Sequence, residues 1–284
     1  GTGALGTTLA RALVSREVPV KSIFNRTASK ARELSRELKI DISGDLPTTS
    51  DQLGSLIFLT ISDGAIAEIA HKLSELNTDL GNHTFVHCSG NESADLLEPL
   101  KMQGANIAAF HPLQTFTSKS NVTDFEGIYF SLQGDGEALS MLRMVANKLG
   151  ADTFQVTNEQ KSHLHAAAVL ASNYLTTLLD TSVKVGAQGG LAEEKVKKIL
   201  LPLVKKTLEN ASRQSFSDAL SGPVKRGDTA TVQEHLQLLG KHPELKSVYC
   251  MLGLQTLELA KETGSLDGTD AEKLRKMLHS GLNL

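Results

Sequence analysis

The 284-residue chain has no tryptophan and only two cysteines, and aromatic residues make up just 4% of it. Cys88 and Cys250 lie far apart and form no CxxC pair. Neither a disulfide framework nor a zinc cluster is therefore expected, no metal is invoked, and a reducing, cytoplasmic setting fits. A basic excess is missing too, with 29 Lys and Arg set against 32 Asp and Glu for a net charge of -3. Such a chain has no field with which to track a phosphate backbone, so no nucleic-acid partner is expected. No apolar run approaches the roughly 18 residues of a membrane span. The nearest stretch, Ala166 to Leu179, is interrupted by Ser172, Asn173, Thr176 and Thr177. No secretory signal pattern opens the chain, and no membrane association is expected. Small-molecule chemistry is the class that survives these exclusions.

What is present is enough apolar material, 40% of residues, for two modest cores. Up to about residue 156, helical patterns alternate with short apolar runs at Val18 to Phe24, Leu56 to Ile61, Thr84 to His87, Ala105 to Phe110 and Ile128 to Leu132. That rhythm predicts βαβ units on a largely parallel sheet. After Val156 the strands stop. Thr157 and Gln160 form a capping box that opens a long helix through Val183. Further helices are expected after Glu193, kinked at Pro202, then over about 229–239, 243–263 and 270–279, the last opened by a Thr269/Glu272 capping box. The expected fold is thus an α/β Rossmann-like domain over 1–156, with an all-α substrate and dimerisation domain over 157–284.

Gly1, Gly3 and Gly6, with Ala4 and Leu5 between them, match G-x-G-x-x-G and run directly into a helical pattern at Leu9, Ala10 and Leu13. Each glycine has a reason: a tight turn, a close approach of backbone to a pyrophosphate, and close packing of helix on sheet. The helix start adds free N–H donors and positive dipole. Because the chain opens inside this motif, an upstream strand of roughly 5–6 apolar residues is expected before it. A strand ending at Phe24 leads to the position that reads the adenosine ribose, where Asn25, Arg26 and Thr27 replace the usual carboxylate. A guanidinium there grips a 2'-phosphate, so the expected cofactor is NADP(H). Ile61 and Ser62 follow another strand and are placed along the same cofactor edge.

Two further strands end in polar clusters, His87-Cys88-Ser89-Gly90 and His111-Pro112-Leu113-Gln114-Thr115. Ser89 is expected to line the cofactor, His111 to serve catalysis and Gln114 to meet substrate. On the long helix, Lys161, His165 and Asn173 are offset by four and eight positions and share a broad face at 100° per residue. Lys161 is read as a substrate ligand, His165 as the general acid and Asn173 as an orienting amide, since imidazole titrates near neutrality. Gly222-Pro223-Val224-Lys225-Arg226-Gly227-Asp228 makes a turn into a helix, with Asp228 as N-cap and Arg226 as an anchor for an anionic substrate.

The set GTGALG, NRT, HCSG, HPLQTF, HAAAVLASNY and GPVKRGD resembles a bacterial family that pairs a Rossmann-like NADP-binding domain with a helical domain of unknown function related to the 6-phosphogluconate dehydrogenase C-terminal fold. More distant similarity reaches ketopantoate reductases, pyrroline-5-carboxylate reductases and prephenate dehydrogenases. The resemblance implies an NADP(H)-dependent oxidoreductase acting on a small anionic carbonyl or imine compound, in a chain that pairs as a homodimer through its helical domain. It names no substrate. Ketopantoate reductases place a lysine where this chain has His165, which argues against that reaction. A nucleotide-sensing or scaffold protein, or a prephenate-dehydrogenase-like enzyme, are the alternatives.

Overall fold

The computed structural model describes residues 1–76, 79–262, 264 and 266–282, which separate into two compact units, Gly1–Tyr174 and Leu175–Leu284. The first unit is Rossmann-like. Its opening helix α1 (Ala4–Ser15) buries Leu9, Ala12 and Leu13, a stripe at helical spacing, in the core of the sheet. Strand β1 (Ser22–Phe24), helix α2 (Ala28–Leu38) and strand β2 (Ile42–Gly44) make a βαβ unit, with β1 and β2 parallel.

A second sheet has the order β3-β4-β5-β6-β7, formed by Leu56–Leu59, Thr84–His87, Asn106–Pro112, Tyr129–Gly134 and Asp152–Gln155. All its pairings are parallel except β5 with β6. Helices α3 (Ile66–Ser74), α4 (Glu98–Lys101) and α5 (Gly136–Leu149) connect these strands. The five strands expected from the apolar runs are present: β1 and β3 are shorter than their runs, β4 matches its run, and β5 and β6 start one residue later and run two residues further. Two were not expected: β2 is three residues of ISG and β7 is a half-buried DTFQ, and neither carries the apolar signal of a central strand. Phe110 on β5 and Phe130 on β6 stack with centroids 3.9 Å apart and, with Phe125, join residues of α1 and α5 in the core packed against the sheet. Each such buried ring contributes about 1.5–3 kcal/mol.

Thr157 caps α6 (Asn158–Ala168) through the expected box with Gln160. The change from strand to helix comes at 156/157, whereas the compact units divide at 174/175, because the first turns of α6 pack with the sheet domain. The run from Thr157 is also not one uniform α-helix: Val169–Tyr174 is a π-helical segment, followed by α7 (Leu175–Ala187).

The second unit continues with α8 (Glu193–Arg213), α9 (Phe216–Ala219), α10 (Thr229–Leu238), α11 (Pro243–Lys261) and α12 (Gly268–Gly281). Helix α8 carries Pro202 in its interior and continues as one helix across it. The expected capping box at Thr269 and Glu272 gives way to an earlier start, since Asp267 accepts from the Thr269 N–H and caps α12. The expected end of the preceding helix at Thr263 lies outside the described residues. Val232, Leu236, Cys250, Leu257, Leu274 and Leu278 form the core of this unit. Among the described residues no helix is long and apolar enough to cross a membrane.

The glycines of the first turn differ in what they tolerate. A methyl group at Gly6 would overlap the Gly1 carbonyl oxygen and approach Thr60 Oγ1 to 2.5 Å, whereas one at Gly3 would meet nothing within 4 Å. Gly6→Ala is therefore expected to destabilise the protein by about 1–3 kcal/mol in urea unfolding, and Gly3→Ala to change it by less than about 0.5 kcal/mol. Equal effects of the two would contradict this division of roles.

Candidate functional site

The site is built at the carboxyl edge of the first unit's sheet, where ligands bind in open α/β folds. Gly3 is the N-cap of α1, makes no side-chain cap and is followed by no acidic residue in the first turn. The leading N–H groups of the helix are consequently free, and a helix start in that condition accepts an anion. Thr2 Oγ1 is buried beside this turn and has no partner among the described residues. Its backbone N–H is held by Asn25 Oδ1 at 3.0 Å, while Asn25 Nδ2 donates to the Thr27 carbonyl at 3.1 Å. Asn25 thus braces the glycine turn against the loop after β1. Arg26 is exposed, and among the described residues its guanidinium has no hydrogen-bond partner; Thr27, the N-cap of α2, makes no side-chain cap. Thr60 Oγ1 donates to the Gly1 carbonyl at 2.8 Å, Ile61 packs into the core beneath, and Ser62 is exposed at the same edge.

A diphosphate dinucleotide fits these features. Open space above Gly3, uncapped amides, an unpartnered buried hydroxyl and a free guanidinium at the ribose-reading position are the parts such a ligand needs.

A second group of residues sits at the ends of β4 and β5. His87 is wholly buried, with Nε2 against the Ser93 carbonyl at 3.0 Å and Nδ1 accepting from the Ser89 N–H at 3.2 Å. Burial lowers its pKa, so it stays neutral and shapes the turn. Ser89 is consumed by that turn as well. Its hydroxyl accepts from the N–H groups of Asn91 and Glu92, and its carbonyl accepts from Lys161 Nζ at 2.6 Å. Lys161 is only 1% exposed, and desolvation brings its pKa down to about 8. It is the tie between α6 and the turn after β4. The Cys88 thiol is pushed up to about 12 by burial and is no nucleophile at neutral pH.

His111 Nδ1 faces the Cys88 carbonyl at 3.2 Å, and desolvation lowers its pKa to about 4. His165, one helical turn after Lys161, brings its ring edge-on to His111, with centroids 6.0 Å apart. Both rings lie over Gly90: a methyl group there would overlap His165 Nδ1 and stand 2.9 Å from His111 Nε2. Gly90 is the site residue to which sequence reasoning gave no role. The signal was available, because a glycine directly after a strand-end HCS turn marks close approach. Asp63 is near enough to His111 and Lys161 to act on both electrostatically, which links the ends of β3, β4 and β5 in one neighbourhood.

The structure brings His111, Lys161, His165 and Ser89 together. Asn173 falls in the π segment, whose i→i+5 pattern winds less per residue than an α-helix. Eight positions therefore turn through less than the expected angle, and Asn173 is rotated back toward the azimuth of His165. Gln114 is placed in a surface turn, where its amide contacts Thr115 and the Asp124 carbonyl. Arg226 belongs to the second unit. In its loop Lys225 ties the carbonyls of Ser217 and Asp218 and Asp228 caps α10, while Arg226 is exposed and its guanidinium has no hydrogen-bond partner among the described residues.

Residues 1–112 match the model of a Rossmann-like domain, and residues 128–256 match that of a domain of unknown function, DUF2520. The chain joins a Rossmann-like domain to a DUF2520 domain. Among solved structures, a protein from Thermotoga maritima is 26% identical with a TM-score of 0.73, over 92% of this chain and 98% of that one. A candidate NADP oxidoreductase from Bacteroides fragilis is 24% identical with a TM-score of 0.72, over 90% and 95%. An imine reductase from a Pseudomonas species is 18% identical with a TM-score of 0.65, over 98% and 97%. Pyrroline-5-carboxylate reductases and a prephenate dehydrogenase share the fold as well. Curated proteins give no significant sequence match. The DUF2520 match begins within the Rossmann-like unit, at the strand β6, and carries through α6 into the second unit.

The low pKa of His111 has a consequence for stability. Its folded value of about 4 lies below the ordinary 6.5, so between those pH values the folded state holds fewer protons than the unfolded one. The contribution is complete above pH 6.5 and is lost as the pH falls toward 4. His111→Asn removes this titration and is expected to flatten the acid limb of a thermal-stability profile, by on the order of 1–3 kcal/mol between pH 6.5 and 4. Parallel acid limbs would contradict it.

Proposed function

We propose that the chain is an NADP(H)-dependent oxidoreductase that moves a hydride to or from a small anionic carbonyl or imine compound. The observation that carries this reading is the coincidence, at one sheet edge, of an uncapped helix start beneath an open glycine and two imidazoles converging over Gly90. The likeness to an imine reductase and to a candidate NADP oxidoreductase supports it.

When bound, the nicotinamide supplies or accepts the hydride. The rest is done by side chains and backbone of this chain. The amides from Gly3 to Gly6 hold the diphosphate, Thr2 Oγ1 gains the partner it lacks, and Arg26 with Thr27 takes the 2'-phosphate. Ile61 and Ser62 flank the cofactor along the end of β3. His165 gives a proton to the heteroatom of the double bond being reduced, or takes it back in the reverse direction, and Asn173 orients that group. The turn containing Ser89, tied by Lys161, holds the floor.

The helical unit is proposed to pair with a second copy. Helix α7 buries no residue and α8 buries only Val196, yet α8 carries Ile199, Leu203 and Leu208 more than half exposed. An amphipathic helix with its apolar side uncovered calls for a partner surface.

Three outcomes are expected. Arg26→Ala weakens NADPH about tenfold to a hundredfold in calorimetric titration and leaves NADH nearly unchanged; equal losses would remove the phosphate-reading role. His165→Ala abolishes NADPH oxidation across a panel of 2-oxo acids and cyclic imines while NADPH affinity is kept. Wild-type protein that binds NADPH and reduces nothing on the panel would favour nucleotide sensing instead. Sedimentation is expected to give twice the mass of the 30.4 kDa chain, and a monomer at micromolar concentration would refute the pairing.

A further inference from the structure

The two imidazoles are not equivalent, and their hydrogen-bond geometry assigns them different work. His111 Nδ1 lies 3.2 Å from the Cys88 carbonyl oxygen, which can only accept, so this nitrogen carries the hydrogen. In neutral His111 the other nitrogen, Nε2, is then bare and can itself only accept. It faces Gly90. Beside that same face of the glycine lies His165 Nδ1, buried and without a partner among the described residues. A buried polar atom left unpaired costs about 1–3 kcal/mol unless something meets it. The bare His111 Nε2 has the chemistry to meet it, since both atoms crowd the one position that a Cβ on Gly90 would take, a space that only a glycine leaves open. Catalytic hydrogen bonds of this kind are often long before ligand binds and tighten in the complex.

We propose that His111 is a positioning residue, the second member of a Cys88 carbonyl–His111–His165 relay in which His111 Nε2 accepts from His165 Nδ1–H and leaves His165 Nε2 as the atom that exchanges the proton with substrate. This deepens the reading of His165 as the acid and rests on it. The logic is that of a base held in one tautomer and one orientation by a third group. In the reductive direction, hydride adds to the carbon of the C=O or C=N group and that bond's π pair moves to the heteroatom. The heteroatom takes the proton from Nε2 of protonated His165, which is left neutral with its hydrogen on Nδ1. His111 keeps its own hydrogen on Cys88 throughout. The burial that lowers its pKa to about 4, and the Lys161 ammonium nearby, both oppose a second positive charge there, with Asp63 acting in the other direction.

The test is nitrogen-15 spectroscopy of histidine-labelled full-length protein with saturating NADPH at pH 7. The relay requires His165 in the Nδ1–H form, against the Nε2–H form that imidazole prefers in water, and His111 also in the Nδ1–H form. His111→Phe is expected to return His165 to Nε2–H, and His111→Asn, whose amide oxygen can still accept, to keep it in Nδ1–H. On the panel substrate with the highest turnover, His111→Phe is expected to lower kcat about tenfold to a hundredfold while KM stays within about threefold, with His111→Asn recovering part of the loss. Finding wild-type His165 as Nε2–H, or the same tautomer in wild type and His111→Phe, would overturn the relay. A variant that no longer binds NADPH is scored as misfolded, and the His111→Asn comparison then decides. Loss of all turnover in a protein with the required tautomers would strike the reductase reading and leave the relay standing.

Discussion

A single buried ammonium holds the candidate site in place. Lys161 reaches from the first turns of α6 into the turn after β4, and its Nζ donates to the Ser89 carbonyl in a site closed to water. Removing a charge from water is unfavourable, which is why its pKa falls to about 8, and the arrangement persists only because the surrounding structure fixes it. Three consequences depend on that tie. It docks α6 on the sheet unit, it sets His165 four residues later over Gly90, and it holds the turn whose Cys88 carbonyl orients His111.

Much of the fold could be read from the residues, because the strongest signals were periodic. The apolar runs gave five of the seven strands, and the Thr157/Gln160 box marked the start of α6 at the correct residue. Short strands with mixed composition escaped, since β2 and β7 owe their state to pairing with β1 and β6 rather than to any pattern of their own. The start of α12 was misread for a local reason. Both Thr269 and Asp267 are good caps, and the side chain that reached a free N–H first in the chain took the position.

The site was legible as residue types but not as roles. His111, Lys161, His165 and Ser89 were all picked out by being polar at strand ends or on an apolar helix, and they do gather. What the sequence could not say is which of them spend their hydrogen bonds on one another. Ser89 and Asn25 turn out to brace loops, Gln114 folds back on its own turn, and the featureless Gly90 sets the separation of the two rings. Distances across the sheet decide these matters, and no spacing within the chain encodes them.

The π segment from Val169 to Tyr174 carries one more implication. Wide helical turns pack their backbone less favourably than α turns and survive mainly where function favours them. Under the proposed function this wide turn, which begins four residues after His165, is what places the Asn173 amide, so its geometry answers to substrate rather than to thermal stability. Idealising the long helix would rotate Asn173 away from the azimuth of His165, so under that reading stabilising substitutions belong outside Val169–Tyr174.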